Sequence, residues 1–440
     1  MTLTTSTRSV RISLFAAFAG LALLGGCVDE AEEVEAEEFL SGGGNTVTAW
    51  ATIAADAILR PVEESTAFNS PGTSSMLMAQ VQLAVYDAMA TITRDYKRFS
   101  YTNSWTSYSD TRAAVATAAY RILRTRIPGR AAYLDSQYAA TMDAIPNGSK
   151  KANGSNLGDA VASHYLNLRA NDNLGGNPTW VQPTPGPGVF EPVAATPPVD
   201  YKMVFVPPFT FSLTQPGQFL PAPPPALGST TYATQWAEAR DLGGASSTAR
   251  TEAQKQLALW SAEHPFRWVA RNVIELAAAK SLDSMKSARL FALVFTSVAD
   301  SVQAGMSAKY HYNFWRPFHS IPRADTDGNS ATPADPTWTP LLNVNHPEYP
   351  AGHGFVGAGS MVEAVRAFFG TNWVSWTLTT VGVTGLTQTS RSYTSLNAIA
   401  TDMMNARIYA GLHYRFSMEA GRLLGDKVVD HITARHFKRE

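Results

Sequence analysis

The chain has 440 residues, of which 45% are hydrophobic, 10% aromatic and 16% charged, and its formal net charge is −1. This is a globular composition with enough apolar residues for a large core. When the acidic run at 29–38 and the two arginines of the first 27 residues are set aside, 33 basic and 29 acidic residues remain, an excess of about +4 that is too weak for a nucleic-acid-binding surface.

The first 27 residues are predicted to be a signal peptide. Arg8 and Arg11 precede an apolar stretch at 12–24 that is too short for a comfortable membrane span. The stretch ends in LGGC, which resembles a bacterial lipobox, where small residues precede a cysteine that becomes lipidated. The alternative is an ordinary signal peptide with an incidental cysteine. We expect lipidation at Cys27, which is the only cysteine, so a disulfide within the chain is excluded.

The next segment, 28–45, is predicted to be a solvated tether. Seven of the ten residues at 29–38 are acidic and three glycines follow, and such a run cannot bury a core. The chain is therefore expected to be held at the bacterial cell envelope by its lipid alone. Val28 after the cysteine favours the outer membrane, facing the periplasm or the exterior. The folded domain is expected to span 46–440.

The folded domain is predicted to be mainly α-helical, because apolar residues recur at helical spacing from Val47 onward and few stretches alternate as strands do. The stretch 286–315 is expected to continue until Pro317 stops it. The N-cap of the helix at 74–92 is expected at Ser74 or Ser75. The expected helices span 74–92, 113–123, 132–142, 157–171, 247–259, 268–279, 286–315, 364–369, 395–410 and 418–435.

The stretch 173–228 interrupts this pattern. Its many prolines break any regular element, yet five phenylalanines lie among them, more than a disordered linker usually carries. We predict a long ordered excursion that packs over the helical body; an interdomain linker is the alternative.

The first of three short motifs, KYHYNFWRP, runs from Lys309 to Pro317. In a continuous helix, Lys309 and Arg316 are two turns apart and project from the same face. Two basic side chains on an otherwise apolar helix end indicate a buried anion, because a buried cation requires one. A surface pair bridged to carboxylates is the alternative.

The second motif, HPEYPAGHG, runs from His346 to Gly354. Gly352 would let backbone N–H groups approach an oxyanion closely, and a helix that begins here would favour an anion at its amino terminus. His353 has the side chain for general acid or base catalysis. The alternative is a loop histidine beside a turn glycine.

The third motif, RIYAGLHYRF, runs from Arg407 to Phe416. Gly411 is expected to end a helix as its C′ residue, and Ser417 is expected to cap the next helix. His413 would then lie on the connection, free to turn toward the other motifs. The alternative is a histidine that is placed at a helix end by the helix dipole.

Taken in order, the motifs read Lys-x6-Arg-Pro, Pro-small-Gly-His and Arg-x5-His. This pattern resembles the signature of the superfamily of vanadium-dependent haloperoxidases and type 2 phosphatidic acid phosphatases. The resemblance covers roughly 309–415 and is closer to the soluble haloperoxidase branch, since membrane-embedded lipid phosphatases need several transmembrane spans and the mature chain shows none. It implies an all-α fold of two packed four-helix bundles with the site between helices.

The resemblance also implies roles for individual residues. Vanadate or phosphate would be bound by Lys309, Arg316, Arg407, the Gly352 backbone N–H, His353 and His413. His413 would bind vanadium through a ring nitrogen, or attack phosphorus in a phosphatase. His353 would act as acid or base, and Lys309 would polarise the peroxide. The basic groups would also keep one histidine neutral by lowering its pKa.

Two positions bear on the chemistry. Many members have Ser where this chain has Ala351, and loss of one hydroxyl bond to an oxyanion costs about 1.5–3 kcal/mol. His346 stands where algal bromoperoxidases have His and a chloroperoxidase has Phe. This resemblance favours bromide or iodide over chloride and places His346 near the halide; a loop histidine bound to backbone is the alternative. A zinc site built from His311, His346, His353 and His413 is rejected on spacing.

The sequence therefore predicts a vanadate-dependent haloperoxidase that uses hydrogen peroxide and a halide. An acid phosphatase that hydrolyses phosphate esters through a phosphohistidine, without a cofactor, is the first alternative. A non-catalytic envelope lipoprotein is the second. A homodimer is expected from the resemblance alone.

Overall fold

A computed structural model describes residues 45–59, 70–193, 197–213 and 218–440. The predicted signal peptide, the lipidation site at Cys27 and nearly all of the tether lie outside these residues and stay predictions. The described residues form a mainly helical protein, which confirms the predicted all-α class.

Thirteen α-helices are numbered here in chain order within the described residues. They are α1 (Thr46–Leu59), α2 (Pro71–Thr93), α3 (Thr111–Arg126), α4 (Ala131–Asp143), α5 (Ser149–Leu168), α6 (Thr230–Gly243), α7 (Glu252–Trp260), α8 (Pro265–Ala279), α9 (Ser284–Tyr312), α10 (Pro317–Ser320), α11 (Val362–Phe369), α12 (Leu396–Tyr409) and α13 (Arg415–Arg435). A π-helix at Gly354–Met361 leads directly into α11, and short 3₁₀ turns lie at Pro128–Arg130, Tyr201–Phe205 and Ala324–Thr326.

The core is organised around the long helix α9. It packs on α1 and α2 on one side and on the π-helix, α11 and α13 on the other. Within the described residues α9 is the one helix with the length and hydropathy of a membrane span, and no such span was predicted. However, 94% of its apolar window is buried inside the protein. It therefore has the burial of a core helix. On the α2 side, α3 also packs against α2, α4 and α5.

Two glycines bring the second and third motifs together. A Cβ at Gly421 of α13 would lie 2.5 Å from the carbonyl oxygen of Ala351, and one at Gly425 would lie 2.6 Å from the backbone nitrogen of Ser360. No other residue fits at that separation, so α13 packs directly on the backbone of the π-helix. This close contact fixes the start of the second-motif helix against the loop that carries the third motif.

The excursion is ordered over its described residues, as predicted. Phe190, Met203 and Val206 are fully buried, and the segment reaches α9 through a buried carboxylate. Asp300 accepts hydrogen bonds from the backbone nitrogens of Phe209 at 2.7 Å and Thr210 at 3.0 Å. The prolines prevent regular structure here without preventing packing.

Some predicted boundaries were wrong. Helix α2 begins at Pro71, with Ser70 rather than Ser74 or Ser75 as its N-cap, because proline suits the first helical position. The stretch 247–259 becomes helical only at Glu252, where Thr251 and Gln254 form a capping box. Helix α6, capped by Ser229, was missed.

A two-stranded antiparallel hairpin was also missed. Strand β1 (Trp376–Thr379) pairs with β2 (Ser390–Tyr393), with Trp376 opposite Tyr393. Each strand has only four residues, too few for an alternating pattern to stand out in the sequence.

Candidate functional site

A cavity of about 270 Å³ lies where α9, the start of the second-motif helix, the end of α12 and the α12–α13 loop meet. Its wall includes six of the predicted residues, which come from all three motifs: Lys309, His346, Gly352, His353, Arg407 and His413. Arg316 lies directly behind this wall, in hydrogen-bond contact with His346. The structure therefore brings together every predicted site residue except Cys27, which lies outside the described residues.

The first motif reaches the cavity by a different route from the predicted one. Helix α9 ends at Tyr312, because Asn313 adopts a left-handed conformation (φ 45°) and its N–H bonds back to the Lys309 carbonyl. Arg316 is therefore not on the same helix face as Lys309; it precedes α10 in extended conformation. The two side chains converge from a helix and from the segment that follows it.

Backbone carbonyls of the second motif hold both of these side chains. The Lys309 ammonium donates to the carbonyls of Pro347 at 2.8 Å and Glu348 at 2.9 Å. The Arg316 guanidinium donates to the carbonyl of His346 and, from Nη1, to that of Leu412 at 2.9 Å. Carbonyl partners satisfy these N–H groups, and neither side chain forms an ion pair with a carboxylate within the described residues.

Arg407 enters from α12 and is held in the same way. Its Nη1 donates to the Ser261 carbonyl at 2.9 Å and to the Ser261 hydroxyl at 3.3 Å, while Nε has no hydrogen-bond partner within the described residues. Burial, with Arg316 nearby, lowers the pKa of Arg407 to about 9, so the side chain stays charged at neutral pH. A buried N–H without a partner suits a bound acceptor.

Burial dominates the other two basic groups as well. It lowers the pKa of Arg316 to about 10, with Glu348 opposing the change. It also lowers the pKa of Lys309 well below the usual value, with Arg316 adding to the effect and Glu348 opposing it. A bound anion would stabilise the charged form of both.

His413 lies on the connection between α12 and α13, as predicted. Gly411 has a positive φ of 73° just after the end of α12, which confirms it as the C′ residue. Ser417 is not the next N-cap; Tyr414 occupies that position, and Ser417 already lies in the first turn of α13. Burial, reinforced by the surrounding basic groups, lowers the pKa of His413 well below its usual value and keeps the ring neutral.

The second motif starts a helix at the cavity, as predicted, with helical backbone from residue 352. A Cβ at Gly352 would have a single neighbour within 4 Å, the Phe355 ring at 3.9 Å, so the glycine leaves free space beside the helix start. His353 lies next to it. Its pKa is lowered well below the usual value by burial, with Arg407 adding to this and a hydrogen bond to the Ser261 backbone opposing it.

His346 and Ala351 occupy different surroundings. The His346 ring lines the cavity and its Nδ1 accepts from Arg316 Nη2 at 2.9 Å, so it is more than a loop histidine held by backbone. Ala351 is fully buried and packs against Ile408 and Met418. Its methyl group therefore lies in an apolar cluster, and Ala351 is not among the residues that line the cavity.

Glu348 is the site residue that sequence reasoning missed. It is fully buried, and its Oε1 accepts from His413 Nδ1 at 2.9 Å and from the Tyr414 backbone nitrogen at 3.0 Å. Burial raises its pKa to about 7, opposed by Lys309 and Arg316. The signal was present in the sequence, because Glu348 is the one acidic residue in a motif otherwise made of prolines, aromatics and small residues.

The other histidines contribute little to this cavity. His311 is exposed at the end of α9, and His319 packs between Phe190 and Phe318. Within the described ranges, no three His, Cys, Asp or Glu side chains are grouped so that they could hold a metal cation.

The cavity has the charge and the donors of an oxyanion site. Three buried basic side chains surround it. Three carboxyl groups lie near them, and each has another partner: Glu348 is bonded to His413, Glu263 is paired with Arg271, and Asp200, whose pKa is raised by burial, accepts from Ser70 and Gly72. The unpartnered Arg407 Nε, the open space at Gly352 and the neutral His413 ring fit vanadate or phosphate, in which the metal or phosphorus arrives as an anion.

Comparison with known proteins gives the same fold. Residues 289–439 match the VCPO second helical-bundle domain. The structure is similar to that of the first bacterial vanadium-dependent iodoperoxidase, with a TM-score of 0.73 and 21% identity over 92% of this chain and 98% of that one. It is also similar to a bacterial vanadium-dependent chloroperoxidase in its holo form, with a TM-score of 0.67 and 15% identity over 86% of this chain and 94% of that one. No curated protein matches the chain by sequence.

Proposed function

We propose that this chain is an enzyme that uses vanadate to oxidise a halide with hydrogen peroxide. It has the fold of the vanadium haloperoxidase-like superfamily, and its residues 289–439 match the VCPO second helical-bundle domain. The observation that carries the proposal is the excess of buried positive charge around a cavity that a neutral histidine also lines. Bound vanadate would supply Lewis-acid activation of the peroxide.

The side chains around the cavity have separate tasks in this proposal. Arg316 and Arg407 balance the charge of the oxyanion, and the Gly352 N–H donates to one of its oxygens. His413 holds the group through Nε2, since Nδ1 is bonded to Glu348. Lys309 uses two of its three N–H groups on carbonyls, which leaves one to bind an oxygen of the bound substrate.

His353 is proposed as the group that moves protons. It lines the cavity, and one ring nitrogen is bonded to the Ser261 carbonyl. Its lowered pKa keeps it neutral before the reaction, so it can accept a proton from the peroxide and return it to the departing oxygen. This assignment predicts that His353→Ala retains vanadate but loses turnover.

Bromide or iodide is the proposed halide, in preference to chloride. The support is local: His346 lines the cavity and bonds Arg316, so a polar group capable of donating a hydrogen bond lies beside the anion site. The similar structures include an iodoperoxidase and a chloroperoxidase, and at their low identity they support the fold and leave the halide to experiment.

Phosphate-ester hydrolysis is the second candidate, because the same donors fit phosphate. In that reaction the lone pair of His413 Nε2 would form a bond to phosphorus as the ester oxygen leaves, and His353, protonated when the anion binds, would give that oxygen its proton. Water would then cleave the phosphohistidine and return a proton to His353. The support is the neutral, carboxylate-bonded His413, which suits a nucleophile as well as a ligand.

One pair of assays separates the two. The full-length protein, purified in detergent, is incubated with orthovanadate, desalted and assayed for bromination of monochlorodimedone with peroxide and for oxidation of iodide. Vanadate-free protein is assayed for p-nitrophenyl phosphate hydrolysis. Vanadate-dependent halide oxidation that is absent from His413→Ala supports the first function. Phosphate hydrolysis inhibited by vanadate, without halide oxidation, replaces it with the second.

The envelope location is a separate proposal, which rests on the resemblance of the sequence around Cys27 to a lipobox. Radiolabelled palmitate should be incorporated into the wild-type chain and not into Cys27→Ser. Equal labelling of both proteins would contradict it.

A further inference from the structure

We propose that Glu348 is a positioning residue that fixes the tautomer and the orientation of His413, so that Nε2 presents its lone pair to the cavity. The inference rests on the proposed function only in taking an oxyanion as the group that Nε2 meets. Glu348 does not itself face the anion, so this task differs from those of the residues that would bind it.

The contact is short and enclosed. Glu348 is 0% exposed and His413 is 1% exposed. The Glu348 Oε1 atom lies 2.9 Å from His413 Nδ1 and 3.0 Å from the backbone nitrogen of Tyr414. The histidine ring and the backbone that follows it are therefore both bonded to one oxygen atom, which restricts rotation of the ring.

The same geometry determines which ring nitrogen carries the proton. The Tyr414 N–H can only donate, so Oε1 accepts in that bond. When the carboxyl group is ionised, or carries its proton on Oε2, Oε1 accepts from the ring as well, and Nδ1 is then the N–H donor. In a neutral imidazole the proton on Nδ1 leaves Nε2 with its lone pair free. Lys309 and Arg316 favour the ionised form of Glu348, for which this assignment holds.

Glu348 also connects the motifs through its backbone. Its carbonyl oxygen accepts from Lys309 Nζ at 2.9 Å and from the Ser417 hydroxyl at 3.3 Å. The residue is thus fixed at both ends, because its backbone is tied to α9 and α13 while its side chain is tied to the α12–α13 loop. A side chain held in this way can set the position of His413 relative to Lys309.

Two substitutions separate positioning from charge. Glu348→Gln keeps a carbonyl oxygen that can accept from both Nδ1 and the Tyr414 N–H, but it removes the negative charge. Glu348→Met keeps the length of the side chain and removes the acceptor. Ser417→Ala is the matched control, since it removes a neighbouring hydrogen bond to the Glu348 backbone and leaves the carboxylate in place.

The first readout is the tautomer itself. The full-length protein is labelled with ¹⁵N-histidine, and the ring signals of His413 are assigned by their absence from His413→Gln. Wild type, Glu348→Gln and Ser417→Ala should show protonated Nδ1 and unprotonated Nε2. Glu348→Met should shift His413 toward protonated Nε2, the form that free imidazole side chains favour. An unchanged tautomer in Glu348→Met would overturn the inference.

The second readout is affinity for orthophosphate and for orthovanadate, each measured by titration calorimetry without any turnover. Glu348→Met should bind both anions about 10- to 100-fold more weakly than wild type. Glu348→Gln should bind at least as tightly as wild type, because an opposing negative charge is gone. If Glu348→Gln weakens binding as much as Glu348→Met does, charge and not positioning explains Glu348, and the inference is overturned.

The two proposals fail in different ways. If neither the wild type nor any variant binds either anion, while the tautomers behave as expected, the proposed function is wrong and the inference about Glu348 stands. If anion binding is strong and equal in all variants, the function stands and the inference falls. Should Glu348→Met fail to fold, as judged by circular dichroism, the Glu348→Gln result decides: a loss of the Nδ1 proton in that variant would contradict the argument.

Discussion

Arg407→Met should stabilise the protein in the absence of anions and greatly reduce its stabilisation by vanadate. Arg407 is buried, has no carboxylate partner within the described residues and is held by hydrogen bonds to Ser261. A buried cation of this kind is a cost to folding that only a bound anion offsets. Methionine fills similar volume and carries no charge.

The size of the effect follows from the pKa of Arg407. Burial lowers that pKa to about 9 from an ordinary value above 12. The lowering represents a folding penalty on the order of 5 kcal/mol, at about 1.4 kcal/mol for each tenfold change. For a base whose folded pKa is depressed, the penalty is fully present below pH 9 and diminishes only as pH rises above it. After the two bonds to Ser261 are lost, a net gain of about 1–3 kcal/mol is expected for the variant at pH 7.

The anion response has the opposite sign. At a free vanadate concentration about 100 times the dissociation constant, wild type gains about 2.7 kcal/mol. Loss of a desolvated charge from the site costs about 2–5 kcal/mol of anion binding, which reduces that gain to below about 1 kcal/mol at the same concentration. Melting curves with and without vanadate, recorded at one scan rate, measure both effects.

Arg415→Met is the control for this experiment. Arg415 lies two residues from His413, but it is partly exposed and bonded to Glu238 and Asn405. Its removal should change stability by no more than about 1 kcal/mol and leave the vanadate response intact. An Arg407→Met protein that melts below wild type without anion, and is still stabilised by vanadate, would refute the reasoning about unpaired buried charge.

Substitutions at four further positions test the structure around the cavity and along α9. Gly352→Ala should leave the melting temperature nearly unchanged, because the new methyl meets open space, but should weaken vanadate binding about tenfold or more as the methyl crowds the anion; calorimetry that gives wild-type affinity would exclude the backbone contact. Gly421→Ala should lower stability by about 1–3 kcal/mol in thermal melts, because its Cβ would lie 2.5 Å from a carbonyl oxygen, and a neutral result would show that α13 can move away. Asn313→Ala should cost about 1 kcal/mol while Asn313→Gly does not, since residue 313 has a positive φ; equal effects of the two would argue against the left-handed cap. Burial raises the pKa of Asp300 to about 6, so the folded state holds this proton more tightly than the unfolded state and stability from this group falls as pH rises from about 4 to 6. In Asp300→Asn that slope should disappear from denaturation midpoints measured across this range, and a slope equal to that of wild type would assign it to other groups.

The order of the motifs was enough to predict which residues meet, because each carries a residue type with few alternatives. Burial of three positive charges, on Lys309, Arg316 and Arg407, requires negative charge nearby, and one common anion would balance all three. The prediction did not need correct local structure. Arg316 was expected on the same helix face as Lys309, and it still reaches the site although α9 ends first.

The wrong predictions of helix boundaries share a cause. The backbone conformation of single residues determines where these helices begin and end. Asn313 could have continued the helix by its propensity, and only the observed left-handed φ shows that it does not. Ser417 has a good capping side chain, but Tyr414 takes that position because the loop after Gly411 is short. The hairpin and α6 were missed because their side-chain patterns are weak, and neighbouring elements stabilise them.

Glu348 could not be assigned a task from the sequence because its partner is distant along the chain. The carboxylate is 65 residues from His413, and nothing in the spacing of the second motif indicates that its side chain turns toward the third. The structure shows that the Glu348 side chain points toward His413, because the close packing of α13 on the π-helix brings the two segments together.

The contacts around the cavity distinguish groups that must keep their charge from a group that must not acquire one. Lys309, Arg316 and Arg407 are held by neutral carbonyl oxygens, so their N–H groups are satisfied while their charge remains available to an anion. A carboxylate in the same positions would neutralise them and remove the reason for an oxyanion to bind. The carboxylate of Glu348 instead bonds the histidine ring, where an acceptor is needed to keep the proton on Nδ1. If carboxylates bonded the three basic groups instead and His413 lost its carboxylate partner, the number of hydrogen bonds could stay the same. The anion site and the orientation of His413 would both be lost.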